Sequence, residues 1–186
     1  LLTYNVDQQL ISVNGAPLGF TGAEFVVLKD GQYKTPNQYV LSQGYDNSLK
    51  SQSSADYILI GTPTTLSAAQ DLASYRSSQG FNVLSVELQQ IYNEFNGGHK
   101  SSQSIKDFLF YALNNWSTKP KYVLFVGDSS VDPLNHYNEQ SSEYGLTHLV
   151  KGAHSDFPSD QWFVSQEVSE DLYVPKLAVG RIPSNN

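Results

Sequence analysis

Apolar and polar positions divide the chain into two stretches with different rhythms. Up to about residue 54 the pattern is short, β-like and punctuated by turns. Asn14-Gly15 and Asp30-Gly31 are hairpin-type dipeptides, and the second follows Glu24-Phe25-Val26-Val27-Leu28, a strand-like run. No helical period occurs there. Residues 47–54 are small and polar, the composition of a linker. They predict a boundary between the end of a preceding β-rich domain, residues 1–54, and a second domain over residues 55–186.

From Ala55 onward strand-like and helix-like runs alternate. Tyr57-Ile58-Leu59-Ile60 is an apolar strand broken by Gly61, and Thr62-Pro63 then supplies a capping hydroxyl and a proline at the first helical position. The helix this predicts carries Leu66, Ala69, Leu72, Ala73 and Tyr75 on one side and stops at Gly80. Val83-Leu84-Ser85-Val86 is the second strand, and Ile91 to Phe95 a short helix ending in Asn96-Gly97-Gly98. A longer helix starts at Ser101 or Ser102. Ile105, Phe108, Leu109, Ala112, Leu113 and Trp116 fall at offsets 0, 3, 4, 7, 8 and 11, the spacing of one buried helical face. Pro120 ends it, and Tyr122-Val123-Leu124-Phe125-Val126 is a continuous apolar strand of the kind covered on both sides.

Residues 134–158 are polar and aperiodic and predict a long loop. Trp162-Phe163-Val164 and Pro175 to Val179 predict two further strands, a hairpin closing on the sheet edge. Strand, helix, strand, helix, strand implies right-handed crossovers and a mainly parallel sheet flanked by helices. The fold class is α/β.

Composition narrows the function. The 186 residues are 39% hydrophobic and 12% aromatic, enough to build a core. A net charge of −7 without any basic run argues against a nucleic-acid partner. The chain has no cysteine, which excludes disulfides, thiolate metal sites and a cysteine nucleophile within these residues. No apolar stretch approaches the about 20 residues of a membrane helix. A start at Leu1-Leu2-Thr3 and an end at Pro183-Ser184-Asn185-Asn186 suggest a chain processed or cut from a longer protein.

In an open α/β sheet, ligands gather beyond the carboxyl ends of the strands, which is where Asp128 falls. With Asp132 and Asp160, and with Asp156 nearby, it forms a candidate oxygen-ligand set for Ca²⁺ or Mg²⁺. The plainer reading is that Asp128 accepts backbone hydrogen bonds and shapes its loop. Gly61 to Thr65 is either an anion-holding turn or a helix cap; it lacks the glycines of a phosphate loop. His99 lies in a turn before a helix and is read as structural or solvent-facing. His136, His148 and His154 lie in or near the polar loop, where His148 and His154 with Asp156 make at most a weak metal site. No Gly-x-Ser-x-Gly elbow occurs.

Several stretches, in order, resemble the opening of the gingipain-type cysteine peptidase domain. They are Ala55 to Ile60, Tyr75 to Val83, Ile91 to Phe95, Ser104 to Leu109, Tyr122 to Asp128, Ser159-Asp160-Gln161 and Leu177 to Pro183. The resemblance implies a caspase-like α/β fold of two subdomains, with the catalytic histidine and cysteine in the second, beyond the stretch represented here by Gly180-Arg181. On that basis the chain matches the first subdomain only, contains no catalytic residue, and partners the catalytic subdomain of the same polypeptide. The resemblance also implies protein or peptide substrates for the parent. The resemblance further implies a bacterial protein, secreted or at the cell surface, that requires no cofactor, with Ca²⁺ as an optional ion. The rival readings are a non-catalytic binding or scaffold module of a secreted surface protein, and a carboxylate-metal phosphoryl-transfer domain built on Asp128 and Asp132.

Overall fold

The apolar run Tyr57–Gly61 forms β1, the central strand of a computed structural model that describes residues 48–130, 145–152, 155–169 and 172–183. Upstream of it lies α1 (Ser48–Ser51). The chain then runs through α2 (Pro63–Ala68), α3 (Gln70–Ser78), β2 (Val83–Glu87), α4 (Leu88–Asn96), α5 (Ser102–Asn115) and β3 (Tyr122–Val126). Short strands β4 (Ser129–Ser130), β5 (Gly145–Leu146), β6 (Leu149–Val150) and β7 (Phe157–Pro158) follow. The described part closes with α6 (Gln161–Val164), β8 (Ser165–Ser169), β9 (Leu172–Pro175) and β10 (Ala178–Ile182).

β10, β3, β1 and β2 pair in that order into a four-stranded, all-parallel sheet. In register, Tyr57 stands opposite both Val83 and Tyr122, and Val179 opposite Val123. Alternation along each strand therefore sends Ile58, Ile60, Val86, Val123 and Phe125 to one face, and Tyr57, Leu59 and Leu124 to the other. On the first face they join Ile91, Ile105, Phe108, Leu109 and Phe163 from α4, α5 and α6 in the main core. On the second they meet Ala69 and Ala73, with Leu66 and Leu72 partly buried beside them. The connection outward from β1 to β2 runs over the second face and the return to β3 over the first, as right-handed crossovers require.

Most elements follow the hydrophobic pattern, and the departures have physical reasons. The helix expected over Pro63 to Gln79 is broken at Ala69 into α2 and α3. The break shifts the helical phase, and Tyr75, expected on the buried side, is 57% exposed. The short helix before Gly97 extends back to Leu88, because Leu88, Ile91 and Tyr92 are all buried. Trp162-Phe163-Val164 form α6 rather than a strand. Phe163 and Val164 are both fully buried in the same core, and neighbours on a strand would point to opposite sides.

The expected hairpin is built instead from β8 and β9, which pair antiparallel. The chain then turns at Lys176-Leu177, and β10 enters the sheet parallel to β3. Within the stretch expected to act as a linker, Leu49 is 3% exposed, and its amide donates to Glu94 Oε1 at 3.0 Å. Part of the expected long loop pairs into β4–β5 and β6–β7. The hairpins expected in the first 47 residues lie outside the described residues.

Candidate functional site

At the carboxyl ends of β3 and β10 the structure builds a fixed polar clamp. The chain leaves β3 at Gly127, whose φ of 103° lies in the left-handed region. A side chain is excluded there twice over, since a Cβ would also meet Thr65 Cγ2 at 2.9 Å. The Gly127 amide donates to the Ile182 carbonyl at 2.8 Å, and its carbonyl accepts from Arg181 Nη1 at 3.0 Å.

Arg181 is the centre of the clamp. Its Nε donates to Asp160 Oδ2 at 2.7 Å and its Nη2 to Asp160 Oδ1 at 2.6 Å, the forked geometry a planar guanidinium favours. The two side chains are 16% and 25% exposed. The guanidinium carbon also sits 4.9 Å from the Phe125 ring centroid. Register explains the contact, because Arg181 stands opposite Phe125 on the neighbouring strand. One side chain thus joins β10, the turn after β3 and the residue that precedes α6.

The end of β1 is closed differently. Thr62 Oγ1 accepts from the Thr65 amide at 3.3 Å, the Thr62 amide donates to Thr65 Oγ1 at 3.0 Å, and Pro63 is the first helical residue. The two hydroxyls serve as a cap of α2. Beside this turn, on the second face of the sheet, Thr65, Ala68, Leu72, Val126, Ile182 and Pro183 line a groove of about 420 Å³.

Of the residues singled out from sequence, Asp160 is tied to Arg181, which also donates to the carbonyl of Gly127, the residue before Asp128. Both carboxylate oxygens of Asp160, a proposed metal ligand, are engaged by Arg181. Asp128 follows Gly127, and its carbonyl accepts from the Gly145 amide at 2.9 Å. Asp156 is exposed. Asp132, His136 and His154 lie outside the described residues. Among the described residues, no three of His, Cys, Asp and Glu form a group able to hold a metal ion. His99 lies in the exposed turn after α4, where its amide donates to the Asn96 carbonyl at 3.1 Å.

His148 is not a solvated loop histidine. It stacks on Trp162 with centroids 3.4 Å apart, and its Nδ1 lies 3.2 Å from Ser102 Oγ. Burial, and then the nearby Lys106 ammonium, hold its pKa below the ordinary 6.5. Sequence reasoning missed this stack and the Arg181–Asp160 pair. The only available signal for the pair was an unpartnered arginine at a strand end, since its carboxylate lies 21 residues upstream.

The strand order, the helices on both faces and the connections through α2–α5 define an α/β domain with a parallel sheet, an architecture consistent with a caspase-like fold. Comparison with known proteins narrows this further. The model of peptidase family C25 matches residues 50–186, and the chain belongs to that family. Among solved structures it is similar to dimeric latent PorU from Porphyromonas gingivalis, with a TM-score of 0.57 and 26% identity. That similarity covers 73% of this chain and 14% of the PorU chain, so the chain spans a small part of its relative. No curated protein matches it.

Proposed function

We propose that these residues form the sheet-bearing, non-catalytic part of a gingipain-like cysteine endopeptidase domain, and that the nucleophile and its histidine belong to polypeptide outside residues 1–186. In this reading residues 1–54 end a preceding β-rich domain, and the parent is a bacterial protein secreted or held at the cell surface. Among the described residues, no helix is long and apolar enough to cross a membrane.

The observation that carries the proposal is a sheet that the described helices cover unevenly, in a chain of a cysteine-peptidase family that has no cysteine. Parallel strands are ordinarily buried on both faces. Here α2 and α3 lie over β1 and β2 on the second face and Leu124 is buried with them, whereas Tyr122 at the start of β3 and Ile182 at the end of β10 are 40% and 45% exposed. Ile182 lines the groove beside Gly127. A catalytic subdomain seated there completes the layer, and the Arg181 clamp fixes the two strand ends against which it rests.

In the parent, histidine takes the proton of the cysteine thiol, the resulting thiolate attacks the scissile carbonyl, and the imidazolium gives that proton to the leaving amine. Water then hydrolyses the acyl-enzyme. The residues described here hold the frame and touch no reacting atom.

The test compares residues 1–186 with a longer chain of the same protein on arginyl, lysyl and generic peptide substrates. We expect background rates from the short chain, and turnover from the longer chain that a thiol alkylator abolishes. Turnover by residues 1–186 alone overturns the proposal. A folded but inert longer chain favours the scaffold reading.

A further inference from the structure

Trp162 is held between two basic side chains that arrive from different elements. His148 stacks on the indole with centroids 3.4 Å apart and planes 9° from parallel. Lys106 Nζ stands 4.0 Å from the same ring. With one face filled by an imidazole at contact distance, the ammonium takes the other.

The layout ties a short strand segment to the helices beneath it. His148 lies between β5 and β6, Lys106 and Ser102 are on α5, and Trp162 is on α6. The stack and the Ser102 contact fasten His148 to α5 and α6, next to Leu146, which is 5% exposed in the main core. The same segment reaches the carboxyl end of the sheet, where the Gly145 amide bonds the Asp128 carbonyl. Its other end meets the clamp region, where the Ser159 amide bonds the His148 carbonyl at 2.9 Å, one residue before Asp160.

The charges around the stack are unevenly placed. Asp107 on α5 and Glu167 on β8 act on Lys106, and the rings of Phe110 and Tyr173 lie 5.9 Å and 5.8 Å from its ammonium. Burial outweighs those carboxylates and lowers the pKa of Lys106 from its ordinary value. The charged group that acts on His148 is Lys106 itself.

We propose that the His148–Trp162–Lys106 stack is a pH-operated latch: the neutral imidazole holds residues 148–150 on α5 and α6, and its protonation releases them. An indole face attracts either cation. Protonating His148, however, puts a second, partly desolvated positive charge across one ring from the first.

The direction follows from linkage. The docked state keeps the His148 pKa below 6.5, so docking is strongest above that value and weakens as pH falls through it. The latch does not depend on whether the parent is an active peptidase.

Hydrogen exchange on the 186-residue chain, corrected for intrinsic rates between about pH 8 and about pH 5, tests it. We expect residues 148–150 to lose protection at the acid end while α5 keeps its own. His148→Phe preserves a flat ring that cannot titrate, and should make protection there independent of pH. Lys106→Met removes the opposing charge but keeps the stem, and should shrink the acid loss.

Unchanged protection down to about pH 5 in the wild type overturns the latch. So does a wild-type-like loss in His148→Phe, or an undiminished loss in Lys106→Met. Should His148→Phe fail to dock at any pH, the Lys106→Met result and direct proton titration of His148 decide. A His148 that titrates at the free-imidazole value overturns the proposal.

Discussion

The two faces of one sheet are treated unequally in this protein. On the first, Ile58, Ile60, Val86, Val123 and Phe125 disappear beneath α4, α5 and α6, and Ile105, Phe108, Leu109 and Phe163 are 0% exposed. On the second, the alternate residues of the same strands meet α2 and α3. The buried side chains they and the break between them bring are small, Ala69 and Ala73, with Leu66 and Leu72 only partly buried, and the helices lie over β1 and β2. The strands are apolar on both sides, so the difference lies in which helices arrive. An apolar strand reports that both its faces can be buried, and the supply of helices decides where burial ends.

The largest effect should follow from damaging the well-covered face. Phe108 is fully buried, with ring centroids 5.7 Å from Phe95 and 5.9 Å from Trp116. Phe108→Ala should cost about 3–5 kcal/mol in denaturant unfolding, through lost transfer energy and an unfilled cavity. Leu72→Ala, on α3 over the second face, removes a side chain that is only partly buried and should cost about 1 kcal/mol. Equal losses at the two positions would break the comparison.

The clamp that joins the strand ends should come next. Arg181→Met leaves Asp160 without the two hydrogen bonds that satisfy it, and leaves the Gly127 carbonyl short of a donor. For a pair this enclosed the loss should be about 2–3 kcal/mol in thermal unfolding, below the range for fully buried pairs because both groups keep some solvent. Adding Asp160→Asn should recover part of it, since the double variant no longer carries an unpaired charge. An additive double variant would show that the two residues act independently.

How legible this was in the sequence depended on whether the signal was local. The α5 face was readable because large side chains from Ile105 to Trp116 repeat at helical spacing, and the strands because they are short unbroken apolar runs. The break at Ala69 was not readable, because small residues satisfy a helical pattern in either phase, and Tyr75 was placed on the wrong side. Trp162-Phe163-Val164 read as a strand because an apolar triplet has no period of its own; its demand for two adjacent buried side chains appears only once the sheet exists. The site divided in the same way. Asp128 was located by the strand end that precedes it. The partner of Asp160 and the stack on His148 depend on residues brought together only by the sheet and α5, and Asp132 lies outside the described residues.

The smallest expected change in stability probes the exposed end of β10. Ile182 is 45% exposed at the end of β10, beside the groove between α2 and β3. Ile182→Thr keeps a β-branched residue that suits a strand and removes apolar surface already in water. Stability should therefore move by less than about 0.5 kcal/mol. Self-association should respond more. Exposed apolar side chains at the ends of β3 and β10, with β10 an edge strand among the described residues, favour contact between copies, so sedimentation of the 186-residue chain should show concentration-dependent association. Ile182→Thr should weaken that association, and Ile182→Thr with Tyr122→Thr should weaken it further. If both variants sediment like the wild type, these side chains are not what brings copies together. If Ile182→Thr instead unfolds the protein as readily as Phe108→Ala, the second face is as well buried as the first.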